Sequence, residues 1–447
     1  MGLIFEILKK RRRLRARESW SRRDLEAFQN QEFQKLFNWS VAHSPFLKKF
    51  YAGYEGKPLT SLPILTKSIL MENYDSLVTD REVRLNKVES HLNQLRGDEL
   101  FRGRYWVTST SGSTGKRGIF LHNRDEWTTV LASYSRSYEW GGVQADLFHR
   151  VRTAVVSSHM PWHQSARVGM TVKNPWLPTL RLDALDPIEK IVADLERFNP
   201  KTLIGYANMM VKLAQEQIAG HLKIQPSALF CASEVLTAEG RRLIREAWGQ
   251  EPFNVYAATE TSTIASECRE HRGMHLYEDL VITEAVDSAK RSMPAGEYSE
   301  KVLVTALFSR TLPLIRYEMS DSVAPSARTC PCGLPFALLE GVEGRAEDVL
   351  KIQSGDGAMV EIHPNVFHSI LEPVVPGAWQ VVQEAQGLKV MIQGTEESTA
   401  KLSTALHDAL SRRGAENLKI DVERVHAIPK TKLGKTKLIV GYTGAAQ

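Results

Sequence analysis

The chain carries little cysteine: four residues in 447, Cys231, Cys268, Cys330 and Cys332. So few excludes a disulfide-built scaffold, in which bridges are far denser. Long apolar runs are also lacking. None approaches the roughly 20 residues that span a bilayer, so no integral membrane contact is expected. No secretory signal opens the chain. The short apolar stretch Met1–Leu8 comes before the basic run Lys9–Arg13, the reverse of signal-peptide order. A cytoplasmic protein is expected. Internal repeats and low-complexity tracts are missing. Aromatic and basic residues do not interleave as they do on a nucleic-acid surface, so nucleic acid is not an expected partner. The charge is nearly balanced, at +5 overall, and much of the excess lies between Lys9 and Arg23. A basic helix there could rest on an anionic membrane. A solvated terminal helix is the plainer reading.

What is present is ordinary globular material, 43% hydrophobic and 24% charged. The length exceeds one compact core, so more than one domain is expected. Residues 18 to 50 have helical character, and Leu59–Leu70 reads as a loop entering a short helix. Further on, apolar strands alternate with amphipathic helices. Strands are expected at Thr153–Ser157, Phe253–Tyr256 and Lys301–Leu307. Helices are expected through Leu203, Tyr206, Met210 and Leu213, and over Ala238–Trp248. This alternation predicts an α/β fold of stacked sheets and helices. The C-terminal part reads as a separate small α+β unit. Trp379–Val382 and Leu388–Ile392 pair around Gly387, a capped helix covers Thr395–Arg413, and a strand follows at Leu418–Val425. The expected domains are 1–343, with a mainly helical lead-in over 1–100, and a mobile 344–447.

One segment points to chemistry. After the short strand Trp106-Val107 comes Ser109-Thr110-Ser111-Gly112-Ser113-Thr114-Gly115-Lys116. Glycines let the backbone approach an anion closely. Successive N–H groups and hydroxyls can surround phosphate oxygens, and Lys116 adds positive charge. The spacing is not that of a Walker A loop, which has four residues between its glycines and Ser or Thr after the lysine. Alone, the loop reads equally well as a flexible surface segment.

Four further segments follow in order: Tyr256-Ala257-Ala258-Thr259-Glu260, Arg316-Tyr317-Glu318-Met319-Ser320-Asp321, Gly344-Arg345-Ala346-Glu347-Asp348 and Pro429-Lys430-Thr431-Lys432-Leu433-Gly434-Lys435. Together with the loop, this ordered set resembles the signatures of the adenylate-forming (AMP-binding) superfamily. Leu62-Pro63-Ile64-Leu65-Thr66-Lys67, Glu267-Cys268, Gly273-Met274-His275-Leu276 and Cys330-Pro331-Cys332-Gly333 are similar to its phenylacetate–CoA ligase branch.

The resemblance implies an AMP-forming ligase that activates a carboxylic acid with ATP and Mg²⁺ as an acyl-adenylate, then transfers the acyl group to CoA. It implies that Ser111, Gly112, Ser113, Thr114, Gly115 and Lys116 hold ATP phosphates. Ser233, Glu234, Tyr256, Ala257 and Thr259 would line the adenine site. Asp321 and Arg345 would meet the ribose, Glu260 would bind Mg²⁺, and Lys435 would reach the transferring carboxylate and α-phosphate. Cys268, His275, Cys330 and Cys332 form a Cys₃His set suited to structural zinc, with buried free thiols as the plainer alternative. Ser158–His163, with Trp162, is a candidate acid pocket.

The sequence departs from the family pattern in places. Ala257 replaces a glycine, Met319-Ser320 replaces Thr-Gly, Glu347 stands at the hinge position, and Lys351–Gly357 replaces an Arg-Gly-x-Asn segment. Adenylation is therefore better supported than transfer to CoA. An amine or a carrier-protein thiol remains an alternative acceptor, and a non-catalytic binding protein is a second alternative. A homodimer is left open.

Overall fold

The computed structural model describes residues 2–110, 117–144, 149–171, 177–345, 350–353, 359–362, 364–371, 374–375, 378–393, 396–415, 418–429 and 436–442. A nine-stranded sheet organises the larger part. Its spatial order is Asp321–Pro325, Leu338–Arg345, Met274–Leu276, Ser262–Glu267, Phe253–Ala258, Ala228–Ala232, Thr202–Tyr206, Thr153–Ser157 and Thr179–Asp183. The last five run parallel. Parallel neighbours need crossover connections, supplied by the helices Gln164–Thr171, Ile188–Phe198, Ala207–Ile218 and Ala238–Trp248. The α/β expectation holds.

Local sequence explains these helices. In Ala238–Trp248, the Thr237 hydroxyl accepts the Gly240 N–H, Glu239 lies in the first turn, and Gly249 ends the helix at φ 71°. Gly240, Ile244 and Trp248 recur every four residues and are buried. The segment from Leu203 to Leu213 differs from expectation. Leu203 and Tyr206 lie on the strand Thr202–Tyr206, and the helix begins at Ala207. A buried strand running straight into a buried helix face produces apolar spacing that mimics one helix.

The N-terminal helices Leu3–Arg17, Arg22–His43 and Pro45–Phe50 come next to this sheet. Ser21 and Asp24 form a capping box on the second. Leu25, Phe33, Leu36 and Phe37 enter a shared core with Leu47, Tyr51, Leu65 and Tyr317. Buried Arg316, at φ 47°, ties this region together. It donates to the Thr60 and Leu62 carbonyls at 2.7 Å and forks onto Glu284 at 3.0 and 3.1 Å. Leu65 then pairs beside Arg316 and Glu318, so the Leu62–Lys67 motif docks on the strand Tyr317–Met319.

A separate core runs from Leu350 to Ile439. It contains a four-stranded sheet ordered Lys419–Arg424, Gly387–Ile392, Trp379–Glu384 and Ile439–Val440, with the helix Glu396–Ser411 burying Leu402, Leu406 and Leu410. Thr395, the expected cap, lies outside the described residues, as do Glu347 and Asp348. Among the described residues no helix is long and apolar enough to cross a membrane.

His122, on the strand Ile119–His122, is buried, and neither ring nitrogen has a partner among the described residues. Burial pushes its pKa down to about 4 from 6.5. Between these values the unfolded chain binds more protons than the folded one, so stability falls as pH falls. The expected slope is about 1.4 kcal/mol per pH unit. Urea midpoints of His122→Phe should therefore fall less steeply than wild type from pH 6.5 to 4. Equal slopes would contradict a neutral buried imidazole.

Candidate active site

The parallel strands all end on one edge of the large sheet. In an open α/β sheet the carboxyl edge is where ligands bind, because loops diverge there and leave a crevice. Ser158, Ala207, Ser233 and Thr259 each follow a strand at this edge.

The strands Trp106–Ser109 and Ile119–His122 form a hairpin whose connection includes Ser111–Lys116. Those six residues lie outside the described ones, but both ends of the loop are anchored. Thr110 N–H donates to the Gly118 carbonyl, and Gly118 N–H donates to Thr110 Oγ1, both at 2.9 Å. Ser109 N–H donates to the Trp162 carbonyl at 3.0 Å. The Arg117 guanidinium lies 4.8 Å from the Trp162 ring centre. The loop base and Ser158–His163 are thus one unit. Ser158 N–H donates to the buried Tyr206 hydroxyl at 2.9 Å, and burial holds that phenol up at about 12. Partial burial lowers His159, opposed by Asp183.

Next along the edge, Tyr256 donates its hydroxyl proton to Asp321 Oδ2 at 2.8 Å. Asp321 pairs with Arg345 in the antiparallel ladder, so the backbones of these two positions are adjacent. Ala257 follows a register shift in its strand, and Thr259 and Glu260 form the half-buried turn beyond it.

Ser233 has φ 67°, the left-handed region that a β-carbon disfavours. This turn aims Glu234 at two backbone donors. Its carboxylate accepts Asn208 N–H at 3.0 Å and Thr436 N–H at 2.8 Å, while the Asn208 amide donates to Thr436 Oγ1. Thr436 directly follows Lys435, which lies outside the described residues. Glu234 therefore joins the large sheet to the chain beside Lys435. The sequence reading missed Asn208 and Thr436. Asn208 is hidden because the apolar spacing from Leu203 to Leu213 makes its helix start read as helix interior; Thr436 carries no motif of its own.

The cysteine cluster lies away from this edge, across the antiparallel part of the sheet. One ligand atom each from Cys268, His275, Cys330 and Cys332 falls within 4.8 Å of the others. Cys268 Sγ and Cys330 Sγ are 3.6 Å apart, and Cys332 Sγ is 3.2 Å from His275 Nε2. Tetrahedral zinc with bonds of about 2.3 Å separates sulfur ligands by roughly 3.8 Å. His275 Nδ1 faces the Phe336 carbonyl at 3.3 Å, which places the proton there and leaves Nε2 as a ligand. His271 instead faces Glu267 at 3.2 Å. Cys231 is buried on the strand Ala228–Ala232, among apolar neighbours.

No family model matches the chain. Protein CapK of Staphylococcus aureus is 26% identical over 314 residues, 67% of this chain and 63% of CapK, so the match spans under two thirds of that relative. The phenylacetate-coenzyme A ligase of Thermus thermophilus is 24% identical over 95% of this chain and 92% of its own length. A solved 2-hydroxyisobutyryl-CoA ligase in its postadenylation state is 18% identical with a TM-score of 0.72, covering 96% of this chain and 91% of that one. The chain is thus similar over nearly its whole length to a phenylacetate-coenzyme A ligase and shares the fold of the 2-hydroxyisobutyryl-CoA ligase. The same ligase in its thioesterification state gives a TM-score of 0.59.

Removing the Glu234 carboxylate should release Thr436. In Glu234→Ala, deuterium uptake at the Thr436 amide should rise about tenfold or more, the effect of losing a bond to a charged group worth roughly 1.5 kcal/mol or more, with Gly387–Ile392 unchanged. Unaltered uptake at Thr436 would show that Glu234 does not hold it.

Proposed function

We propose that this chain is an AMP-forming acid–CoA ligase. A carboxylate oxygen of a small acid attacks the α-phosphorus of ATP, the bond to pyrophosphate breaks, and acyl-adenylate forms. A thiol, that of CoA, then displaces AMP. The observation that carries the reading is the meeting, at one sheet edge, of the Tyr256–Asp321 pair, the Ser233–Glu234 turn and the segment next to Lys435.

In this reading the loop Ser111–Lys116 holds the β- and γ-phosphates. Tyr256 lies against adenine, with its hydroxyl orienting Asp321 toward the ribose hydroxyls. Arg345 stands beside them. Lys435 meets the negative charge that builds up between carboxylate and α-phosphate, where a preorganised cation acts most strongly. The half-buried Glu260 carboxylate suits a hard cation such as Mg²⁺. Bound there, the ion neutralises phosphate charge. The Ser109 N–H bond to the Trp162 carbonyl, which ties Ser158–His163 to the base of that loop, supports an acid pocket beside it. Residues 344–447 form the mobile small domain in this reading.

The Cys₃His cluster fits zinc in chemistry and spacing. It supplies no open ligand position, so its role is to hold the turn Cys330–Gly333 against the sheet.

One feature favours a second acceptor. Lys351–Gly357 departs from the family segment used in the thiol-accepting state, which supports transfer to an amine or a carrier-protein thiol instead. AMP release with an active acid, with and without CoA, separates the two: CoA dependence supports the first, indifference to CoA the second.

Lys435→Ala should lower acid-dependent ATP–pyrophosphate exchange about 100-fold or more, with the urea midpoint unchanged. Full exchange in the variant would remove the mechanism. Purified protein should hold about one zinc per chain, and Cys268→Ser with Cys330→Ser should lose it and melt lower. Metal analysis showing only traces of zinc in wild type would reject the site.

A further inference from the structure

The helix Leu3–Arg17 has two sides that behave differently. On one side it is pinned. Ile7 and Leu14 are buried. Lys10 pairs with Asp125 at 2.8 Å, Arg11 and Arg15 with Glu139, Arg17 with Asp279 at 3.2 Å, and Glu6 receives Arg124 at 3.0 Å. Most of these partners belong to the helix Arg124–Trp140 or lie just beside it. The helix therefore cannot roll.

The other side is presented to solvent. At 3.6 residues per turn, Phe5, Leu8, Lys9, Arg12, Arg13 and Ala16 fall within a sector of about 140°, opposite Ile7 and Leu14. All six are exposed, Phe5 by 55% and Leu8 by 50%. Lys9, Arg12 and Arg13 make no ion pair among the described residues. No acidic residue lies in that sector, since the helix's single acid, Glu6, is paired with Arg124.

We propose that this face docks on an anionic bilayer surface. Charge complementarity selects the occupant class: a stripe of unpaired cations needs a polyanion. The two large apolar side chains beside the cations narrow it further. Phe5 and Leu8 gain nothing against a phosphodiester strand, whereas an interfacial helix inserts such side chains at the headgroup boundary while its cations meet lipid phosphates. The ion pairs on the far side keep the stripe outward before any membrane is met. Binding thus costs no refolding of the helix, and the chain sits on the membrane as a peripheral protein. This inference stands apart from the proposed reaction, because none of these residues belongs to the candidate active site.

The test is co-sedimentation of the full chain with vesicles. Wild type should bind vesicles of phosphatidylcholine with 30% phosphatidylglycerol, release them in high salt, and ignore pure phosphatidylcholine. Lys9→Gln with Arg12→Gln and Arg13→Gln should weaken binding about 100-fold, at roughly fivefold per cation. Phe5→Ser with Leu8→Ser should weaken it about tenfold at unchanged charge. Both variants should keep the wild-type melting temperature, since every changed side chain is exposed. No binding by wild type overturns the proposal. So does binding that neither variant reduces. Loss in the glutamine variant alone, with the serine variant binding as wild type and equal affinity for heparin, marks a general polyanion patch and also overturns it.

Discussion

Arg136 lies near the C-terminal end of the helix Arg124–Trp140 with its guanidinium buried, and a buried cation must be met by a carboxylate. Asp279 meets it through two bonds of 2.7 and 2.8 Å, and is itself wholly buried. Burial alone would raise the Asp279 carboxyl, but Arg136 and Arg17 together outweigh it and hold it low. The same guanidinium donates to the Leu14 carbonyl, and Arg17 adds a second cation to Asp279. Trp140, Tyr277 and Phe336 pack around the charge, and Trp140 also lies edge-on to His275. One ion pair thus joins the N-terminal helix, the central helix, the antiparallel strands and the cysteine cluster. Breaking such a pair by removing one partner costs about 3–5 kcal/mol, because the survivor stays buried and uncompensated. The outward stripe on the N-terminal helix has a fixed direction for this reason.

The candidate active site depends on a different kind of constraint. Its side chains are supplied by strand ends, and strand ends are positioned by the sheet rather than by their neighbours in sequence. Ser158, Ser233 and Thr259 are far apart in the chain yet share one edge because their strands run parallel. The left-handed turn at Ser233 is tolerated there because it redirects Glu234 onto two amides that the edge would otherwise leave open.

Features set by local physics were legible in the sequence. Ala238–Trp248 announces itself with a threonine cap, an acid in its first turn, apolar residues four apart and a glycine stop. Thr153–Ser157 and the hairpin about Gly387 were equally plain. The strand–helix junction at Tyr206–Ala207 was not, because burial on both sides of it leaves no polar residue to mark the change. That misplaced boundary hid Asn208. The buried Arg136–Asp279 pair was also invisible, since nothing in either residue's neighbourhood announces a partner 143 positions away. The cysteines were readable as a group through their residue types and the family resemblance, and only the sheet shows that Cys268 and Cys330 are adjacent.

The Glu234 bridge has a strength that suits the proposed reaction. That reaction has two steps, and Lys435 is needed at the first. A permanent attachment of the small core would block whatever rearrangement admits the second acceptor. The bridge consists of two backbone N–H bonds to one carboxylate and one side-chain bond between Asn208 and Thr436. Bonds to a charged group contribute about 1.5–3 kcal/mol each and neutral ones about 1 kcal/mol, and only the Thr436 bonds cross between the two cores. The crossing part is therefore worth roughly 2.5–4 kcal/mol before the entropy of ordering the segment is subtracted. A contact of that size favours the closed arrangement without trapping it. An apolar interface large enough to be permanent would hold the first step and forfeit the second. A carboxylate with two amide partners holds Thr436 in place and still lets water replace it.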